Sequence, residues 1–190
     1  ELNLIEKGKN YGWPVIVHGI NYPGTKIGDA IVEKPGLEQP RYYWDPVIAP
    51  SGLVFYKGDL FPQWKTSVLI GGLAGQAIFR LELGKDDKVV NEEALLADLN
   101  ERIRDVRVFQ DGAVYVLMNG DTMSGKQTVI RWENGQATAL QLSPHTTHRQ
   151  LLRSAKGDVG VACLTREFPG APALLELVDA KTGAKKSIGV

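Results

Sequence analysis

The sequence predicts an all-β fold of β-propeller type, made of four-stranded antiparallel blades. Three observations carry that reading. Short apolar runs recur at a spacing of roughly eight to twelve residues, and 21 glycines and 10 prolines in 190 residues supply the turns between them. The unit of apolar strand, Asp-Gly or Asp-x-x-x-Gly, then apolar strand occurs at Asp111-Gly112 and again at Asp179 to Gly183. Sandwich, barrel and propeller all suit short strands at this spacing. Loop-then-strand units of about 40–50 residues are the size of one blade and favour the propeller. Four blades would take about 160–200 residues, so a chain of 190 is the length of a small propeller or of part of a larger one.

From the start, Glu1 to Asn10 is short and mixed, with Leu2, Leu4 and Ile5 apolar. Asn10-Tyr-Gly-Trp-Pro14 reads as an aromatic turn, Gly12 permitting a positive φ and Pro14 holding its predecessor extended. Val15 to Val17 reads as a short strand. Gly19 to Pro40, with four glycines and three prolines, is a long loop, and Tyr22 and the Tyr42-Tyr43-Trp44 run imply that it is packed and functional. Strands follow at Leu53 to Tyr56, Ser67 to Gly72 and Gln76 to Leu83, with Phe61-Pro-Gln-Trp64 and Gly71-Gly-Leu-Ala-Gly75 as connections. Asn91 to Asn100 could form a helical face through Leu95, Leu96 and Leu99, but its setting suits a meander, and we read it as a strand. Thr128 to Glu133 ends at the Asn134-Gly135 turn. Further strands are expected at 139–142, 151–153, 159–164, 173–178 and 186–190.

The most informative stretch runs from Glu101 to Asn119. Ile103, Val106 and Val108, then Val114, Val116 and Met118, alternate as two strands around the Asp111-Gly112 turn. Arg102 and Arg104, two apart on a strand, are expected on one face. Paired guanidiniums repel unless an anion lies over them, so the alternatives are solvated edge-strand arginines or a clamp for an anionic group.

Lys+Arg and Asp+Glu are equal at 22 each, which argues against nucleic acid or an anionic membrane surface as the main partner. No apolar run approaches the roughly 18 residues of a membrane span. No Lys/Arg-led apolar segment opens the chain, so no signal peptide is expected in it; a mature secreted protein would look the same. Cys163 stands alone in an apolar run and reads as a buried thiol. Gly120 to Lys126 resembles a phosphate-binding loop, but Gln127 stands where Ser or Thr should be and no helix is expected to follow, so we reject it. His145-Thr-Thr-His148 has no supporting ligands nearby and reads as a solvated loop. His18 reads as a packed histidine rather than a general base. No nucleophile-histidine-acid set can be assembled.

Four stretches in order, Glu1 to Pro14, Trp44-Asp-Pro-Val-Ile-Ala-Pro-Ser-Gly52, Ile70-Gly-Gly-Leu-Ala-Gly-Gln76 and Arg102-Ile-Arg-Asp105, resemble the soluble quinoprotein aldose sugar dehydrogenases. These are six-bladed propellers dependent on pyrroloquinoline quinone (PQQ), related to soluble glucose dehydrogenase. The likeness covers residues 1–133 of what we read as a single propeller portion spanning 1–190, about half of the ring; residues 137–190 are divergent.

The resemblance implies that Arg102 and Arg104, with Ile103 between them, contact the PQQ carboxylates. It implies that Tyr22 and the Leu73-Ala74 segment approach the cofactor, Ala74 replacing a lysine of the glucose dehydrogenases and leaving the pocket less charged. Glu1 and the Tyr11 carbonyl match a structural calcium site. The general-base histidine, an Arg-Asn pair on PQQ and the carbonyls of the catalytic calcium all precede the residue matched by Glu1, so no catalytic residue is expected in this chain. The implied partners are an aldose substrate and an external electron acceptor, with a homodimer or the missing N-terminal half as further candidates. The implied compartment is periplasmic or extracellular. A second reading is a non-catalytic propeller module binding a sugar or protein partner. A third has residues 137–190 closing a smaller propeller; an isolated half would otherwise expose sheet edges that invite pairing.

Overall fold

The computed structural model describes residues 1–21, 23–119, 127–140, 146–153, 159–165, 174–179, 182 and 184–189. Among the described residues, twelve strands form three four-stranded antiparallel sheets, each a simple meander. The first holds β1 (Pro50–Phe55), β2 (Ser67–Gly72), β3 (Ile78–Leu83) and β4 (Val89–Leu95). The second holds β5 (Arg102–Val108), β6 (Val114–Asn119), β7 (Gln127–Glu133) and β8 (Gln136–Ala139). The third holds β9 (Thr146–Arg153), β10 (Val159–Thr165), β11 (Leu174–Asp179) and β12 (Lys185–Gly189). Sheets starting at residues 50, 102 and 146 are propeller blades at the expected repeat.

Most expected strands are present with shifted ends. The 91–100 segment divides: Val89–Leu95 is strand, while Ala97–Leu99 makes one 3-10 turn between left-handed Leu96 and Asn100. Val15 to Val17 is not a strand. Only Ile16 bridges there, to Ile31, because the Gly12 turn bends the chain through hydrogen bonds from Val15 N and Ile16 N to the Gly12 carbonyl. Gly12 has φ +90°, and a Cβ on it would lie 2.0 Å from Ile16 Cγ1. The Asp111-Gly112 turn forms as expected, with Gly112 at φ +78° and its N–H on the Phe109 carbonyl.

Three apolar clusters hold the blades. Tyr56, Phe61, Trp64 and Leu69 of the first sheet region meet Ile103, Val106, Val116 and Trp132 of the second. Phe61 stacks nearly parallel on Trp64, the centroids being 4.1 Å apart with 12° between the ring planes. Ala113, Tyr115 and Val129 of the second sheet meet Leu151, Val161 and Val178 of the third. Trp44 and Ile48 cover Val68, Ile70, Phe79 and Leu81, so the strandless N-terminal segment packs on the first sheet. The Tyr42-Tyr43-Trp44 run is thereby explained: Tyr42, Trp44 and Phe79 form an edge-to-face chain, and Trp44 Nε1 donates to Glu92 at 2.8 Å.

Tyr56 ties the first two blades together. Its fully buried hydroxyl donates to the Gly112 carbonyl at 2.8 Å and accepts from Phe61 N at 3.0 Å. Tyr56→Phe strands both groups in the core, so a loss of about 1–3 kcal/mol is expected in denaturant unfolding.

Tyr115 is also buried, and its hydroxyl donates to Asp111 while accepting from Arg131 Nε at 2.9 Å. Burial first, then the Asp111 carboxylate, pushes its pKa up to about 12, against the opposing Arg131 hydrogen bond. The folded state therefore holds this proton above the ordinary tyrosine range. The stability it supports is intact below about pH 10 and is lost as pH rises to about 12. In a tyrosinate absorbance titration, the difference between the parent and Tyr115→Phe should titrate near pH 12 rather than near 10.

Candidate functional site

The Arg-x-Arg pair lies where β5 begins. Ile103 pairs with Met118 and Asp105 with Leu117, so Arg104 is an extra residue, a β-bulge. The expectation of a regular strand is corrected here. The bulge lets Ile103 and Val106, three apart, both reach the same core at 0 % exposure. Arg102 is left half-buried and Arg104 exposed, on either side of an anchored isoleucine.

Asp105 fixes the bulge. Its Oδ1 accepts from Val106 N at 2.9 Å and its Oδ2 from Arg107 Nε at 3.1 Å. Arg102 makes no side-chain hydrogen bond or ion pair among the described residues, so its half-buried guanidinium is available to an anion.

The loop after β2 comes alongside. Ser51 Oγ lies 2.7 Å from the Ile103 carbonyl and 3.0 Å from that of Gly71, so one hydroxyl joins β1, β2 and the start of β5. The close approach requires glycine at 71, where a Cβ would sit 2.8 Å from Ile103 Cγ2. Gln76 Nε2 donates to the Asn100 carbonyl at 3.1 Å, two residues before Arg102. The Ile48 carbonyl accepts from both Ala74 N (2.9 Å) and Gly75 N (3.1 Å), and Leu73 N donates to Ala49. Ala74 is exposed and Leu73 half-buried. Segments 48–51, 71–76 and 100–105 thus form one hydrogen-bonded neighbourhood.

The other expected site residues lie apart or cannot be placed. Tyr22 is outside the described residues, as are Gly120 to Lys126 and His145; Cys163 and His148 lie on β10 and β9, their side chains outside the description. Gln127 opens a strand, which accords with rejecting the phosphate loop. His18 stacks on Tyr43 at 4.0 Å, and its Nε2 is buried with no hydrogen-bond partner among the described residues, so the ring is packed as expected. Glu1 is exposed, and its Oε2 lies 3.5 Å from Asn3 Nδ2. The Tyr11 hydroxyl donates to the Leu4 carbonyl and accepts from Glu6 N, each at 2.7 Å, holding Tyr11 against residues 4–6. Among the described residues no group of three or more His, Cys, Asp or Glu could hold a metal. No helix of the described residues is long and apolar enough to cross a membrane.

Sequence reasoning missed Ser51, Gly52 and Asp105 as the parts that set the Arg-x-Arg geometry. Each stands inside a motif quoted above, but its role depends on contacts between blades that no local pattern reveals.

Comparison with known proteins gives these features a family. The family model "Glucose / Sorbosone dehydrogenase" matches residues 1–130. The aldose sugar dehydrogenase YliI of Escherichia coli (strain K12) is 45% identical over 127 residues, 66% of this chain and 33% of that protein. An uncharacterized protein of Synechocystis is 41% identical over 117 residues, 62% of this chain and 28% of its own length. A crystal structure of glucose dehydrogenase matches at TM-score 0.62 and 45% identity, over 68% of this chain and 36% of the other. The soluble aldose sugar dehydrogenase of Escherichia coli in its apo-form matches at TM-score 0.56, over 61% of this chain and 33% of the other. The chain spans about a third of the length of these relatives. By its blades, the four stretches that resemble the quinoproteins and these matches, the chain belongs to the glucose/sorbosone dehydrogenase family.

Proposed function

We propose that this chain is the C-terminal portion of a PQQ- and calcium-dependent dehydrogenase that oxidises aldose sugars at C1. The observation that carries the reading is Arg102: a half-buried guanidinium without a protein partner among the described residues, beside a second arginine on a bulge. Two guanidinium groups on neighbouring positions suit the carboxylates of a planar polyanion. When bound, PQQ would supply the acceptor for the hydride leaving the sugar carbon.

The roles of this chain's residues follow. Arg102 and Arg104 hold cofactor carboxylates by charge-assisted hydrogen bonds, and Ile103, locked in the core, sets their spacing. Ala74 gives the pocket a small uncharged wall on a loop held by the Ile48 carbonyl. Tyr22 is proposed as a further cofactor contact. No histidine here is assigned as the base, because His18 is committed to its stack on Tyr43; the proton of the anomeric hydroxyl passes to a group in the remainder of the protein. Glu1 and the Tyr11 carbonyl would hold calcium, a hard cation that takes such oxygens. The further partner proposed is an external electron acceptor, in a periplasmic or extracellular setting.

The test mixes this chain with a separately expressed N-terminal portion of the same protein, PQQ, calcium and an aldose, and follows dye reduction. Turnover requiring all components supports the reading. Mixtures that bind PQQ to neither part, with no turnover, overturn it in favour of a non-catalytic sugar- or protein-binding propeller.

A further inference from the structure

We propose that Asn3 is a further ligand of the cation assigned to Glu1, its side-chain oxygen completing that site; this rests on the calcium reading above. The inference starts from an unpaired atom. Asn3 Oδ1 is buried and has no hydrogen-bond partner among the described residues, although the other end of the same amide, Nδ2, lies 3.5 Å from Glu1 Oε2. A buried amide oxygen with no donor is costly, and native structures rarely leave one so. Nearby polar groups are engaged elsewhere. The Tyr11 hydroxyl donates to the Leu4 carbonyl, and the Leu2 N–H donates to the Tyr42 carbonyl.

A hard cation would give this oxygen a partner. Calcium takes carboxylate, amide and main-chain oxygens at about 2.3–2.6 Å and tolerates irregular geometry. The amide can turn its oxygen to the ion while its N–H group steadies the neighbouring carboxylate, as outer-shell donors commonly do for ligating carboxylates. The contact to Glu1 is long for a charge-assisted hydrogen bond, which ordinarily closes to about 2.7–2.9 Å, so the carboxylate is only loosely held in its present position. The backbone is already constrained on both sides, by the Leu2 bridge to Tyr42 and by the Tyr11 hydroxyl on residues 4 and 6. The chemistry of the set, one carboxylate, one amide oxygen and a main-chain carbonyl, selects calcium over a transition metal.

Isothermal calorimetry of calcium binding to the chain, without PQQ or substrate, tests this. The parent should bind calcium. Asn3→Ala should weaken binding at least about tenfold, as expected on losing a ligand or its support. Asn3→Asp, nearly isosteric and with an oxygen in the same place, should restore binding, which separates ligation from folding. If the parent binds and Glu1→Gln does not, while Asn3→Ala binds like the parent, the role of Asn3 is overturned and the calcium assignment of Glu1 survives. If the parent binds no calcium, both fail.

Discussion

Arg102→Ala/Arg104→Ala is expected to lower the affinity for PQQ by at least about a hundredfold while leaving the fold intact. Hydrogen bonds to charged groups contribute about 1.5–3 kcal/mol each, so losing two such anchors removes about 3–6 kcal/mol. The fold should tolerate the change because neither arginine enters the core: Ile103 and Val106 carry the packing of β5. Surface changes of this kind ordinarily move stability by less than about 0.5 kcal/mol. The checks are an absorbance titration with PQQ and a thermal melt of the same samples. Arg102→Lys should fall between the parent and Arg102→Ala, since lysine keeps the charge but loses the two-pronged geometry. Equal affinity for the double variant and the parent would return these residues to solvated edge-strand arginines.

Gly52→Ala should produce the second large effect, and at a distance from the ligand. A Cβ at Gly52 would lie 2.2 Å from Asp105 Oδ1, 2.8 Å from Asp105 Cα and 2.8 Å from Val106 N. Two of these are main-chain atoms that cannot rotate away. Accommodation must push the start of β5 away from β1 and weaken the Ser51 link to the Ile103 carbonyl. Overpacking of this kind costs about 1–3 kcal/mol, which for a chain of this size is a fall in Tm of about 2–12 °C. Because Asp105 also fixes the bulge at Arg104, PQQ affinity should fall with stability, though residue 52 is assigned no contact with the cofactor. A melt unchanged within a degree or so would mean that the two blades are not pinned at this point.

Much of the fold was legible because it is written in short-range patterns. Period-2 apolar runs and Gly, Pro and Asp turns marked most of the strands, and the blade repeat marked their grouping. Gly12 and Asp111-Gly112 were readable because a positive φ restricts residue choice at a turn. The failures share one cause. Val15 to Val17 has strand composition, yet its partner, Ile31, lies across a loop and supplies a single bridge. The bulge at Arg104 is set by where β6 and the core beneath Ile103 lie, and the sequence of β5 alone reads as an unbroken strand. In the site, the arginines stood out by the repulsion they imply. Ser51, Gly52 and Asp105 act across the gap between two blades and carry no such signature. Asn3 was likewise invisible, since an unpaired oxygen exists only once the chain around it is folded.

The measurement that bears most directly on the whole account is a titration of PQQ, with calcium present, into the unaltered chain, followed by the cofactor's absorbance. Saturable binding of one equivalent is expected, because the start of β5 and the loop at Ala74 are held in place by contacts within this chain. Absence of saturable binding from a chain whose melt is cooperative would contradict the claim that these residues form a ready-made part of a quinone site.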